Sequence, residues 1–212
     1  IFDMSAFYRD AHNHLTIDGL LLDGLMTEFG SPLYVYSGAG LERAFTAFQA
    51  AVTPVSGKVH FALKANSALG VISLLASCGA GADIVSAGEL ARALAAGIAA
   101  KDVVFSGVGK SAADIRSALA AGVGQINAES AEEVARISAI AAAMGVIAPV
   151  ALRVNVDVDA GTHAKISTGQ RSTKFGISTD QREAASLYAS IDADPHIKPM
   201  GLAIHIGSQI CD

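Results

Sequence analysis

Two hydrophobic rhythms alternate along this chain. Short apolar or β-branched runs fall at Val59–Leu63, Ala82–Val85, Val103–Phe105, Gln125–Asn127, Val150–Val154 and Leu202–Ile206, and read as strands. Between them lie stretches with helical spacing. Three of these open on a serine followed three residues later by an acid: Ser86 with Glu89, Ser111 with Asp114, and Ser130 with Glu133. In such a box the hydroxyl accepts the N3 amide and the acid turns back to the N-cap amide. Apolar stripes follow (Leu90, Ala93, Leu94; Ile115, Ala118, Leu119; Val134, Ile137, Ile140, Met144) and end at Gly97, Gly122 and Gly145. Leu41, Phe45, Phe48 and Val52 predict a helix before the first strand, and one more is expected around Arg182–Ile191.

Lys64, Ile84, Phe105 and Ile126 succeed one another at steps of 20, 21 and 21 residues. A strand, a three-turn helix and two turns fill that length, so the chain reads as βα units on a parallel sheet. A doubly wound open sheet could stop at six strands, whereas a (β/α)8 TIM-type barrel takes eight strands and about 250 residues. Equal pitch and the lack of a nucleotide fingerprint favour an incomplete barrel, with about six of eight units. Later steps are longer, 28 residues from Ile126 to Val154 and 51 from there to His205. The polar stretch from Asp157 to Ser172 inside the second step reads as a functional loop. The expected division is an N-terminal segment over 1–36 and a partial barrel over 37–212.

Composition removes several function classes. Of 212 residues 51% are hydrophobic and 17% charged, which excludes a disordered chain. A net charge of −5 argues against a nucleic-acid partner. Two cysteines, Cys78 and Cys211, fit a reducing cytoplasm better than a disulfide scaffold, and the residues after Ile1 carry no signal-like pattern. Ala65–Ala82 is uncharged, but Asn66, Ser67, Gly70, Ser73, Ser77, Gly79 and Gly81 divide it, so no membrane span is expected.

The polar residues that interrupt the strands mark the candidate chemistry. Lys64 directly follows a strand, Asp83 lies within one, Glu89 opens the next helix, Arg153 sits inside Leu152–Val154, and His205 and Ser208 end the sixth run. Sites in parallel α/β folds gather at the carboxyl ends of strands. A lysine ringed there by apolar residues would be desolvated and held as the neutral amine that a Schiff base needs. Taken singly, each has a plain reading: Asp83 could bond turn amides, Arg153 could neutralise a buried carboxylate, and His205 could be a core histidine. Gly109-Lys110-Ser111 imitates a phosphate-loop ending, but Val104 stands where a glycine is required, so it reads as a βα turn. His12 and His14 read as surface residues, and no metal-ligand spacing is present.

Phe61–Asn66 and Gly81–Glu89 resemble the lysine-bearing motifs of fold-type III pyridoxal-phosphate decarboxylases. Gly161–Gly169, continuing to Lys174–Ile177, together with His205–Gln209, resemble the diaminopimelate decarboxylase branch of that family, and Gly30–Tyr36 also fits. The resemblance implies that Lys64 carries pyridoxal 5'-phosphate as a Schiff base and that His205 stacks on the ring. It implies that Ser208 helps hold the phosphate, and that Asp83, Glu89 and Arg153 form a polar network beneath. The implied activity is decarboxylation of meso-2,6-diaminopimelate to L-lysine and carbon dioxide by a cytoplasmic homodimer acting on a small amino acid. A decarboxylase of ornithine or arginine type, or a non-catalytic relative, is the alternative. The same resemblance implies a C-terminal β domain, packed with segment 1–36, and a phosphate loop beyond Asp212, so these 212 residues alone are expected to be inactive.

Overall fold

The structure, a computed structural model, describes residues 6–156, 176–178 and 183–208. The chain begins with a small antiparallel sheet of β1 (Phe7–Arg9), β2 (Leu15–Ile17) and β3 (Leu20–Leu21). Asp10 closes the first connection, its Oδ1 accepting the amides of both His12 and His14 at 2.9 Å. Helices α1 (Leu22–Phe29) and α2 (Gly38–Val52) follow. Ser37 caps α2 by accepting the Gly40 amide, and its hydroxyl donates to Asp18 Oδ1 at 2.7 Å. That bond ties the small sheet to the first barrel helix.

The βα units then run in sequence: β4 (His60–Ala62), α3 (Leu69–Ser77), β5 (Gly81–Ile84), α4 (Ala87–Ala95), β6 (Val103–Phe105), α5 (Ala112–Ala121), β7 (Gln125–Ala128), α6 (Ala131–Met144) and β8 (Ala148–Asn155). After these come β9 (Ile177–Ser178), α7 (Glu183–Asp192) and β10 (Ile197–Ala203). The strands lie parallel in the order β4-β5-β6-β7-β8-β10, and β9 adds beside the end of β8. Consecutive units are therefore spatial neighbours, as in a (β/α)8 barrel of which this chain supplies six units.

The helix starts follow their sequence signals with one variation. The box is complete at Ser111–Asp114. Ser86 and Ser130 accept the amides of Glu89 and Glu133, but those two carboxylates reach one residue further back, to the amides of Val85 and Glu129 at 2.8 Å. Helices α5 and α6 stop at Gly122 and Gly145, whose φ of 75° and 66° an L side chain would resist.

The last strand differs from the expected Leu202–Ile206. It starts at Ile197 and ends at Ala203, so His205 lies just beyond it. Pro199 and Gly201 conceal its first half. The register shifts between these two residues. Likewise, Ala65–Ala82 resolves into the nine-residue α3, a turn and β5. Among the described residues no helix is long and apolar enough to cross a membrane.

The two faces of the sheet carry different chemistry. Ile84, Phe105, Ile126 and Leu152 point to the helices and are fully buried against Ile72, Ile115 and Ile137. Each such side chain contributes about 1.5–3 kcal/mol by leaving water. The register pairs Ala62 with Asp83, Asp83 with Val104 and Val104 with Gln125, which places the intervening positions on the opposite face. Asp83, Gln125, Asn127 and Arg153 share that face.

Candidate active site at the carboxyl ends of the strands

Lys64 occupies a short 3-10 turn, Leu63–Ala65, immediately after β4. Leu63 is wholly buried and anchors the turn, while Lys64 is exposed. Among the described residues, β5 is the strand that flanks β4. Among the described residues no hydrogen bond or ion pair engages the Lys64 amine.

His205 is partly buried beyond β10. Its pKa is lowered, first by burial, then by the nearby charges of Arg153 and Lys64, with Asp83 pulling the other way. Arg153, Lys64 and Asp83 thus lie within electrostatic reach of this imidazole although they come from β8, the turn after β4, and β5. In a flat sheet, β4 and β10 would stand about 24 Å apart at the usual strand spacing, well beyond a Debye length of about 10 Å. The sheet must curl for Lys64 to act on His205, which favours the barrel over the doubly wound alternative.

Beneath this cluster the polar face is connected. Ser106 donates its hydroxyl to Asp83 Oδ1 and accepts Asn127 Nδ2 at 3.0 Å, and Asn127 Oδ1 accepts Gln125 Nε2 at 2.7 Å. Arg153 donates to Glu129 Oε1 at 2.8 Å, and the Gly176 amide donates to Glu129 Oε2 at 3.1 Å. The plain reading of Arg153, a guanidinium neutralising a buried carboxylate, is therefore met alongside its place near His205. Glu89 is bonded to the Val85 amide and serves as a cap for α4. Ser208 is exposed three residues past His205. The motif Gly161–Gly169, with Lys174, Phe175, Gln209 and Cys211, lies outside the described residues.

Sequence reasoning missed Lys110, Ser106, Asn127, Glu129 and Glu133. Lys110, expected in a plain βα turn, is 3% exposed and donates to the carbonyls of Gly107 and Asn127 at 2.6 and 2.7 Å and to Glu133 Oε1 at 3.1 Å. Burial lowers its pKa and Glu133 opposes that shift. The available signal was the capping series itself, since Lys110 and Glu129 stand directly before the N-cap residues Ser111 and Ser130.

Residues 39–212 match the family model described as "Pyridoxal-dependent decarboxylase, pyridoxal binding domain". The chain belongs to this family. It is similar to diaminopimelate decarboxylase of Pseudomonas aeruginosa, 50% identical over 203 residues, covering 96% of this chain and 48% of the relative. The Haemophilus influenzae protein of the same name is 46% identical, with 97% and 49% covered. The crystal structure of diaminopimelate decarboxylase from M. jannaschii in co-complex with L-lysine superposes with a TM-score of 0.90 at 32% identity, over 98% of this chain and 49% of that one. The chain spans about half the length of the curated relatives it matches.

The residues present fit the cofactor of this pyridoxal-dependent family. An aldehyde needs an available primary amine, and among the described residues none engages that of Lys64. An aromatic ring needs a flat partner, and the half-buried His205 imidazole stands within electrostatic reach of that amine.

Proposed function

We propose that the intact protein is a pyridoxal-phosphate-dependent decarboxylase that converts meso-2,6-diaminopimelate into L-lysine and carbon dioxide. The observation that carries this reading is the exposed Lys64 amine, unengaged among the described residues, with His205 within its electrostatic reach. The substrate rests on relatives named diaminopimelate decarboxylase at 46–50% identity, and on relatives whose structures hold L-lysine. The same reading makes the protein a cytoplasmic homodimer, with segment 1–36 packed against a further domain.

When bound, the cofactor's conjugated ring accepts the electron pair left behind as the carboxylate departs. The chain's own residues do the rest. Lys64 would hold the cofactor through its amine, which stands exposed in the turn after β4. At neutral pH the lowered pKa of His205 keeps its imidazole uncharged, so it can pack flat on the ring without competing for an anion. Arg153 cannot swing, because Glu129 holds its guanidinium and the Gly176 amide holds Glu129. Asp83 is held in turn by Ser106, which Asn127 steadies. Ser208 supplies an exposed hydroxyl for the phosphate.

The test is product analysis with the intact protein supplied with pyridoxal phosphate and, separately, meso-diaminopimelate, ornithine and arginine. Lysine and carbon dioxide from the first alone are expected. Preferred turnover of ornithine or arginine, or no turnover at all, overturns the assignment.

A further inference from the structure

A lysine and a glutamate that the proposed chemistry leaves unused lie deeper than any other charged pair described. The side chains of Lys110 and Glu133 are 0% and 4% exposed. Burying two charges is costly unless the protons and lone pairs find partners. Here they do. The three ammonium protons go to Gly107 O, Asn127 O and Glu133 Oε1, and the second Glu133 oxygen accepts the Glu129 amide. The Phe105 ring lies under the ammonium, 5.9 Å to its centroid.

Each partner is itself attached to the candidate site. Gly107 directly follows Ser106, which holds Asp83. Asn127 gives its carbonyl to Lys110 and its side chain to Ser106. Glu129, whose amide Glu133 holds, receives Arg153. The ends of β6 and β7 are thus clamped at one point, and the side chains leaving those ends are the ones that set Asp83 and Arg153.

We infer that Lys110 and Glu133 are positioning residues, a buried clamp that fixes the Arg153 guanidinium and the Asp83 carboxylate at the mouth of the barrel. A merely structural pair would lower stability when broken and leave the folded site unchanged. A positioning pair would change the site in molecules that remain folded. Its consequence for turnover rests on the cofactor reading above, and its consequence for Arg153 does not.

The experiment uses the intact protein with Lys110→Met, which keeps the shape of the stem without the charge, and Glu133→Gln. In the second variant the carboxamide can accept from Lys110 through its one oxygen, but its NH2 cannot accept the Glu129 amide. Ile72→Val, in α3 and away from the clamp, serves as a destabilised control. Two quantities are read well below each variant's melting temperature: the slowly exchanging guanidinium signal of Arg153 in cofactor-free protein by 15N NMR, and kcat and KM of the loaded protein. Both clamp variants are expected to lose the protected Arg153 signal and to fall roughly 10- to 100-fold in kcat, the scale of a misplaced group. KM should stay within about twofold, and Ile72→Val should keep both quantities. An unchanged Arg153 signal, or an unchanged kcat per folded molecule, overturns the inference. If Lys110→Met does not fold, Glu133→Gln decides alone. If the wild type itself shows no turnover, the cofactor reading fails, and the Arg153 signal still judges the clamp.

Discussion

Lys64 and His205 follow the two border strands of the six-strand parallel row, β4 and β10, yet the charge of Lys64 depresses the pKa of His205. Curvature of the sheet brings them together at the carboxyl ends of the strands. The imidazole is therefore expected to titrate below its ordinary 6.5, and Lys64→Met should move it back up, because one cationic neighbour is gone while burial remains. Histidine NMR across the titration reads both numbers. Identical values in wild type and variant would separate the two residues.

The sign also sets a dependence of stability on pH. A histidine whose pKa is lower folded than unfolded binds its proton more readily in the unfolded chain. Its contribution is complete above the unfolded value of about 6.5 and is lost as pH falls through the lower, folded value. His205→Gln should flatten the loss of stability in that acid window, as measured by urea unfolding at a series of pH values. An equally steep loss in the variant would assign it to other groups.

Glu129 sits between Arg153 and the Gly176 amide, and it is buried. Glu129→Ala removes this carboxylate from the largely buried Arg153 guanidinium. Breaking one side of such a pair costs about 3–5 kcal/mol. Denaturant unfolding should show a loss of this size, and a loss within the range of a surface pair would place Arg153 in a wetter setting.

The helix caps allow a finer comparison. At Ser111 the hydroxyl both accepts the Asp114 amide and donates to Asp114 Oδ2, so Ser111→Ala removes two hydrogen bonds, for a loss of about 1 kcal/mol, while the residue's own amide stays on Asp114. At Ser86 the hydroxyl cap is broken in the same way, but Glu89 remains on the Val85 amide. Ser86→Ala should therefore cost less than Ser111→Ala in thermal unfolding. The reverse order would contradict the division of labour at these helix starts.

The architecture was legible because three consecutive units announce themselves twice, by a serine–acid pair at the helix start and by a glycine after its end. The start of β10 was not, since Pro199 and Gly201 are poor strand formers. Lys64, Asp83, Arg153 and His205 were visible as polar interruptions of apolar runs, and the fold brings those four together. Glu89 was visible at the start of the next helix, and its carboxylate also accepts the Val85 amide. The Lys110–Glu133 pair escaped notice because its partners stand 23 residues apart and meet only after α5 and α6 dock. No local pattern distinguishes a lysine that will be buried from one that caps a turn.

Most directly at stake is the identity of the amine that takes the cofactor. The intact protein should be incubated with pyridoxal phosphate, reduced with borohydride, digested and analysed by peptide mass spectrometry. A pyridoxyl-phosphate adduct confined to Lys64, and absent from Lys64→Ala, is the predicted result. An adduct on another lysine, or none, would contradict the account.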